Sequence, residues 1–115
     1  MRTYNGLVFF ICLLISPSLF AGEADVLGPD KWPENVEAAV KLIIADLPEA
    51  DRKTVRNTRK EDLIKFHFGR GRGIRNHYGL WRGNQKLIAS ACGKPCHPDD
   101  ASMKIIEAVW AELQK

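Results

Sequence analysis

The spacing of the apolar residues limits what this chain can fold into more than any other feature. Several segments repeat apolar residues every three or four positions, which is the period of an α-helix, and no stretch alternates cleanly as a half-buried strand does. The first such segment is predicted to be a helix from Pro33 to Leu47, because a proline suits the first helical turn, where its missing N–H is not needed. The apolar face of this helix consists of Val36, Ala39, Val40, Ile43 and Leu47. The pattern predicts an all-α fold.

The middle of the chain predicts a second long helix that glycines interrupt. Residues 48–57 are polar and indicate a helical turn or a short helix. Thr58 and Glu61 have the spacing of a capping box, which predicts that the long helix begins at Thr58. Glycines in a helix interior cost about 1 kcal/mol each, so three at alternate positions predict either a break or the close approach of another backbone. These glycines are Gly69, Gly71 and Gly73. Residues 74–78 would resume the helix.

Two more helices are predicted towards the C-terminus. Asn84 is a candidate cap for a short helix over 85–91, and residues 92–98 form a loop with two cysteines. Asp99 or Asp100 is expected to cap the last helix. The inward stripe of this last helix is Ser102, Ile106, Val109, Trp110 and Leu113. The expected architecture is an irregular bundle of four to five helices, with a Gly-rich break and a Cys-containing loop before the last helix.

The N-terminus has the three-part layout of a secretory signal peptide. Arg2 supplies a positive charge, residues 7–15 are an unbroken apolar run, and Ala21 offers a cleavage site. An uncleaved anchor would need about 20 apolar residues, and Pro17 cuts this run short. The predicted organisation has three parts, which are a signal peptide over 1–21, a tether over 22–31 and a small helical domain over 32–115.

Signal cleavage would leave two cysteines, Cys92 and Cys96, in an oxidising compartment, so a disulfide between them is predicted. A thioredoxin-like pair would need two intervening residues. Haem attachment would need C-x-x-C-H, with two residues between the cysteines, and here three residues separate Cys92 from Cys96. A metal site built from both cysteines and His97 would need a fourth ligand. The sequence therefore predicts no metal site and no cofactor. It predicts a periplasmic or secreted protein with no stable membrane span after cleavage.

Charge is distributed unevenly along the chain. Without Arg2 the chain has 17 − 1 = 16 basic and 14 acidic residues, a balance that does not indicate nucleic-acid binding. Residues 52–86 nevertheless hold eleven basic residues and only two acidic ones, Glu61 and Asp62. This basic segment would steer an anionic partner towards the domain, although a solvated charged face is the simpler interpretation.

The segment from His67 to Asn84 follows the pattern H-F-G-x-G-x-x-I-R-N-x-x-G-L-W-x-G-N. A second block, H-P-D-D-A-S at 97–102, is followed by Trp110 in the last predicted helix. With these two blocks the chain resembles a family of short bacterial domains of unknown function, many of them exported. The resemblance covers residues 32–113 and implies no activity.

His67 is predicted to lie on an inward face. Helical spacing groups it with Leu63, Gly71, Ile74 and Tyr78. We interpret His67 as a hydrogen-bonded core histidine, and the alternative is a ligand or a general base. Gly71 on the same face would let another helix come close.

Arg75 is predicted to lie on a side with Ile64 and Phe68. A guanidinium has the fork geometry that suits a carboxylate, so Arg75 is expected to form a bidentate clamp with Asp99 or Asp100. The nearby glycines lack the spacing of a phosphate-binding loop, and no strand precedes them, which argues against nucleotide binding.

No side chain lies in a recognisable catalytic motif, so the sequence favours a binding domain over an enzyme. The first hypothesis is an interaction domain, such as an inhibitor or an immunity-like partner of another protein. The alternatives are a binder of a small anionic envelope ligand through Arg75 and Asn76, and an enzyme that uses His67 or His77. Candidate binding residues are Arg72, Arg75, Asn76, Trp81, Arg82 and Asn84. Candidate structural residues are His67, Gly71, Asp99, Asp100 and Trp110.

Overall fold

A computed structural model describes residues 27–115, and within them every regular element is helical. The five α-helices of this part are α1 (Val36–Asp46), α2 (Glu49–Arg56), α3 (Arg72–His77), α4 (Gln85–Cys92) and α5 (Pro98–Leu113). The other helical elements are 3₁₀ helices at Pro29–Lys31 and Lys60–Phe66 and a π-helical turn at His67–Gly71. The predicted all-α class is confirmed, with the cysteine loop before the last helix. The predicted signal peptide (1–21) and residues 22–26 of the predicted tether lie outside the described residues.

Helix α5, the longest of the helices between residues 27 and 115, is the element around which the other described helices pack. It contacts α1, α2, α4 and the segment 60–77. Its buried residues are Ala101, Ser102, Ile105, Ile106 and Val109. Ala101, Ile105 and Ile106 belong to the main core cluster together with Leu63, Ile74 and Leu87. Val109 belongs to a second cluster with Val40 and Leu47. Full burial of one aliphatic side chain contributes about 1.5–3 kcal/mol, so α5 sets the position of its neighbours. Within residues 27–115, no helix combines the length and the apolarity needed to cross a membrane.

Helix α1 begins at Val36 and not at Pro33, which lies before the helix. The side chain of Asn35 accepts a hydrogen bond from the backbone N–H of Ala38 at 2.8 Å. This bond satisfies one of the N–H groups that a helix start leaves unpaired, so the helix starts after Asn35. The predicted start at Pro33 was therefore wrong.

Helix α5 begins with a different cap from the one predicted. The Nδ1 atom of His97 accepts a hydrogen bond from the backbone N–H of Asp99 at 3.0 Å, and Pro98 occupies the first helical position. Asp99 and Asp100 lie inside the first turn, where their charge is favourable next to the positive end of the helix dipole. The prediction that one of these two carboxylates caps the helix was wrong.

The prediction of one long α-helix from Thr58 is also wrong, because this segment contains three kinds of helix. The hydroxyl of Thr58 donates to the carbonyl of Thr54 at 2.7 Å, so it points back into α2 and caps nothing. Arg59 occupies the cap position without a side-chain bond. From Lys60 the chain forms a 3₁₀ helix, next the π-helical turn that contains two of the three glycines, and only then α3.

These changes of helix type alter which side chains share a face. Leu63 and Ile74 are buried as predicted. Ile64 and Phe68, however, are 63% and 75% exposed, whereas Arg75 is 6% exposed. The predicted grouping of Arg75 with Ile64 and Phe68 was wrong, because 3₁₀ and π turns advance the chain by different angles from an α-helix.

Two glycines allow close contacts between segments. A Cβ at Gly71 would lie 2.8 Å from Nη1 of Arg75 and 3.6 Å from Oγ of Ser102, so the segment approaches α5 at this residue. Gly79 has a φ of +72°, and a Cβ there would lie 2.2 Å from the indole ring of Trp32. A side chain is therefore excluded at both positions, at the second by backbone conformation as well.

A pair of substitutions tests this difference between glycines. Gly73 is exposed in α3, and an added Cβ would have nothing within 4 Å. We expect Gly73→Ala to raise the free energy of unfolding by up to about 1 kcal/mol through helix propensity. Gly71→Ala should lower it by about 1–3 kcal/mol, because the methyl group crowds a guanidinium that is held in place. Urea unfolding measures both variants, and equal shifts would contradict the packing described for Gly71.

Candidate functional site

The guanidinium of Arg75 makes three contacts inside the domain. Its Nη1 donates to the hydroxyl of Ser102 at 2.9 Å, and its Nη2 donates to the carbonyl of His67 at 3.2 Å. Its Nε lies 3.4 Å from Oδ1 of Asp99. The ion pair therefore involves Asp99 and not Asp100, and it is made through one nitrogen and not as a bidentate clamp. With these contacts inside the fold, Arg75 does not face a ligand.

Two of the predicted structural residues, His67 and Trp110, differ in the hydrogen bonding of their ring nitrogens. The indole N–H of Trp110 donates to the carbonyl of Thr58 at 2.7 Å and fastens α5 to the turn after α2. The Nδ1 atom of His67 is buried and has no hydrogen-bond partner within residues 27–115. The interpretation of His67 as a hydrogen-bonded histidine is therefore wrong for this nitrogen.

Asn84 and Arg82, both predicted to bind a partner, hold the start of the domain in place. The buried amide of Asn84 donates to the carbonyls of Pro33 and Tyr78 at 3.0 and 2.8 Å, and its oxygen caps α4 as predicted. Arg82 donates to the carbonyl of Leu27 at 3.2 Å. Its guanidinium carbon also lies 5.2 Å from the ring centroid of Trp32. These contacts join residues 27–33 to the turn 79–84.

Trp81 lies on a separate surface. Its side chain is 56% exposed, and its ring meets that of His97 edge-on with centroids 5.2 Å apart. The adjacent Cys92 and Cys96 form a disulfide with Cα atoms 6.3 Å apart. Within residues 27–115 no cluster of three His, Cys, Asp or Glu side chains is arranged to hold a metal ion.

A half-open groove of about 930 Å³ lies between α1 and the segment 65–78. Its apolar lining comes from α1, α2, α3, α5 and Phe66. These apolar side chains are Ile43, Leu47, Val55, Ile74, Ile106 and Val109, together with Phe66 and Phe68. We call this feature the groove.

The charged residues of the groove are divided between its two sides. Lys65, Arg70 and Arg72 line the side formed by the segment 65–78, and Asp46 lines the α1 side. Arg70 is already paired with the carboxylate of Asp51. Neither Lys65 nor Arg72 has a carboxylate within 4.0 Å in the described part of the chain. The basic side therefore offers two cations to an anionic group.

Tyr78 contributes a neutral polar group to the groove wall. Its side chain is 4% exposed, and no residue from 27 to 115 forms a hydrogen bond with its hydroxyl. Burial, and secondarily the charge of Asp46, raises the pKa of Tyr78 to about 12. Like any tyrosine, it is protonated at neutral pH and can donate a hydrogen bond.

The groups proposed for catalysis are not brought together. His77 lines the groove, whereas His67 and Arg75 do not. The guanidinium of Arg75 turns towards α5, so it lies away from any substrate held beside His77. A general base needs its reacting partner within hydrogen-bond reach, and this arrangement provides no such pair.

Sequence reasoning found one side of this site and missed the other. Arg72 and Asn76 line the groove as candidate binding residues, and Arg70 and Lys65 belong to the basic segment noted from the charge distribution. Asp46 and Val55 were missed. They lie in different helices from the glycine-rich motif, and nothing local in the sequence indicates that α1 and α2 face it.

Comparison with known proteins identifies a family for this chain. A family model described as a domain of unknown function, DUF6794, matches residues 32–113, the span over which the resemblance was predicted. No curated protein and no solved structure is significantly similar to the chain. The resemblance to a family of unknown function is confirmed, whereas bacterial origin and export stay predictions.

Replacement of Arg75 by lysine tests its structural role. A single ammonium group cannot satisfy Ser102, His67 and Asp99 at once, so Arg75→Lys should lower the free energy of unfolding by about 2–4 kcal/mol. Arg72→Lys, at an exposed position in the same helix, is the matched control and should change it by less than about 0.5 kcal/mol. Chemical denaturation measures both, and an unchanged stability of Arg75→Lys would contradict this role.

The raised pKa of Tyr78 predicts a loss of stability at high pH. A phenol ionises at about 10 in the unfolded chain and at about 12 in the folded one. The protonated phenol therefore contributes to the free energy of unfolding. This contribution is complete below pH 10 and is lost as the pH rises towards 12. Thermal unfolding across this range should show the loss, and Tyr78→Phe should show a smaller one. Identical pH profiles would contradict the assignment to Tyr78.

Proposed function

The chain thus belongs to the DUF6794 family of domains of unknown function, and we propose that it is a binding module that takes its partner in the groove. The observation that carries the proposal is an apolar groove with two unpaired cations on one side, Lys65 and Arg72. Concave apolar surfaces with a few convergent polar groups are the usual sites of ligand binding. Catalysis by His67 or His77 has no comparable support. His77 lines the groove and Arg75 does not, and the hydrogen bond between Arg75 and His67 involves the backbone carbonyl of His67.

The contacts of the candidate residues support placing the binding surface in the groove. Arg75, Arg82 and Asn84 are occupied by contacts within the domain, and Trp81 lies outside the groove. Arg72 remains exposed at the groove. The hypothesis of a basic binding surface is therefore kept, and its centre moves from Arg75 to Arg72.

We also propose that the domain acts after export, in the periplasm or outside the cell. The apolar segment 7–15 and the small residue Ala21 support export from the sequence. The disulfide between Cys92 and Cys96 fits an oxidising compartment. In that location an inhibitor-like or immunity-like domain would meet a protein partner, and a ligand binder would meet an envelope component.

Blocking the groove tests the proposal. Gly73 lines the groove, and a side chain added there meets no atom within 4 Å, so Gly73→Trp should fill the groove without disturbing the core. Ala89→Trp places the same bulk on the exposed side of α4 as a matched control. The full-length chain with a C-terminal tag is expressed in its own host, purified, and examined for bound proteins and small molecules by mass spectrometry.

We expect a bound species with the natural chain and with Ala89→Trp, and its loss with Gly73→Trp. Thermal unfolding confirms that both variants are folded. Equal recovery from the two tryptophan variants, or no bound species with any of the chains, would overturn the proposal.

A further inference from the structure

We propose that the ligand of the groove is a fatty acid, with its alkyl chain on the apolar floor and its carboxylate between Lys65 and Arg72. This inference rests on the proposed function, because it names the ligand class of the same site. It commits to a free single-chain carboxylate and not to a protein segment. The size of the groove, its charges and its exposed aromatic ring each support this choice.

The size of the groove suits a small amphiphile. Its volume of about 930 Å³ lies within the range of roughly 300–1,000 Å³ that is typical of small-molecule sites. The floor is aliphatic, and α1, α2, α3 and α5 each contribute to it. Each methylene that leaves water for such a surface gains free energy in proportion to its area. An alkyl chain is therefore the apolar body that the floor fits.

The charges of the groove select the head group. Lys65, Arg70 and Arg72 against Asp46 give a formal lining charge of 3 − 1 = +2. Arg70 is held by Asp51, so Lys65 and Arg72 are the cations that a ligand would meet unpaired. The opposite side carries Asp46, which repels a carboxylate and thereby fixes which side the head group occupies.

The floor itself carries no charge that would oppose an alkyl chain. Tyr78 lines the groove, and its phenol is uncharged at neutral pH, as an ordinary phenol is. Its hydroxyl donates and does not compete with the carboxylate for the cations. A neutral floor beside a basic side is the pattern expected of a site for an anionic amphiphile and not for a doubly charged polar ligand.

Phe68 completes the site. Its ring is 75% exposed and lines the groove. Exposed rings of this kind next to an apolar groove mark surfaces that become covered on binding. An alkyl chain lying on Phe66 would bring Phe68 over its outer side, so Phe68→Ala should weaken binding although the ring contributes little to the core.

Calorimetric titration of the full chain, purified from a host that exports it, tests the inference with defined probes. The probes are laurate, decanoate and dodecyltrimethylammonium, each below its micelle concentration. We expect one laurate per chain. Decanoate, two methylenes shorter, should bind roughly fifteenfold more weakly, since each buried methylene contributes about a fourfold change. The alkyl chain of the cationic probe is one methylene longer than that of laurate, and this probe should nevertheless bind at least about tenfold more weakly.

Matched variants locate the binding. Gly73→Trp should abolish laurate binding and Ala89→Trp should preserve it. The comparison of the two variants distinguishes binding in the groove from binding to apolar residues elsewhere on the surface. Lys65→Ala with Arg72→Ala should weaken laurate binding about five- to tenfold. Lys94→Ala with Lys104→Ala removes two exposed lysines that do not line the groove, and it should change the affinity by less than about twofold.

The outcomes separate this inference from the proposed function. Absent laurate binding, equal binding of laurate and the cationic probe, or laurate binding that Gly73→Trp leaves intact would overturn the fatty-acid inference. If the capture experiment then still shows a polypeptide that Gly73→Trp releases, the binding module stands with a protein ligand, such as an acidic amphipathic helix. If neither experiment shows dependence on the groove, both proposals fall.

Discussion

The buried guanidinium of Arg75 is the interaction on which the rest of this domain depends. It joins the carbonyl of His67, the hydroxyl of Ser102 and the carboxylate of Asp99, which belong to the π-helical turn and to the first two turns of α5. A buried charge without partners is very costly, so the chain must place all three acceptors around it. Gly71 is needed for the same reason, since any side chain there would occupy the space of the guanidinium. Along the resulting path Ile64 and Phe68 are exposed, and Phe68 lines the groove.

The sequence predicted features that depend on neighbours along the chain. The apolar period of α1 and α5, the cap at Asn84 and the disulfide between Cys92 and Cys96 were all recognisable, because each involves residues a few positions apart. The predictions were wrong where a local sequence pattern is compatible with two different structures. Thr58 and Glu61 have the spacing of a capping box, but the Thr58 hydroxyl instead bonds back to the preceding turn. The 3₁₀ and π segments after it have no sequence signature of comparable strength, since tertiary contacts to α5 select them.

The candidate site was only partly predictable for a related reason. A cluster of basic residues is visible in any sequence, but whether each one faces inwards or outwards depends on packing. Arg75 and Arg82 are held by backbone carbonyls, and Arg72 remains exposed. The groove also needs Val55 and Ile106, which lie 51 positions apart and meet only when α2 and α5 pack together. The uneven charge distribution is therefore visible in the sequence, whereas the position of the groove depends on helix packing.

The contact between Gly79 and Trp32 has a consequence for how such domains evolve. The indole ring occupies the space that a side chain at 79 would take, and Arg82 lies over the same ring. A mutation that adds a side chain at 79 meets the indole as well as the cost of a positive φ, so loss of the indole removes one of the two barriers. Loss of the indole also leaves Arg82 without its aromatic neighbour. These positions cannot drift independently. Among relatives that keep this arrangement, they should be inherited together or replaced together, so their joint variation would record the contact in an alignment even where no structure is known.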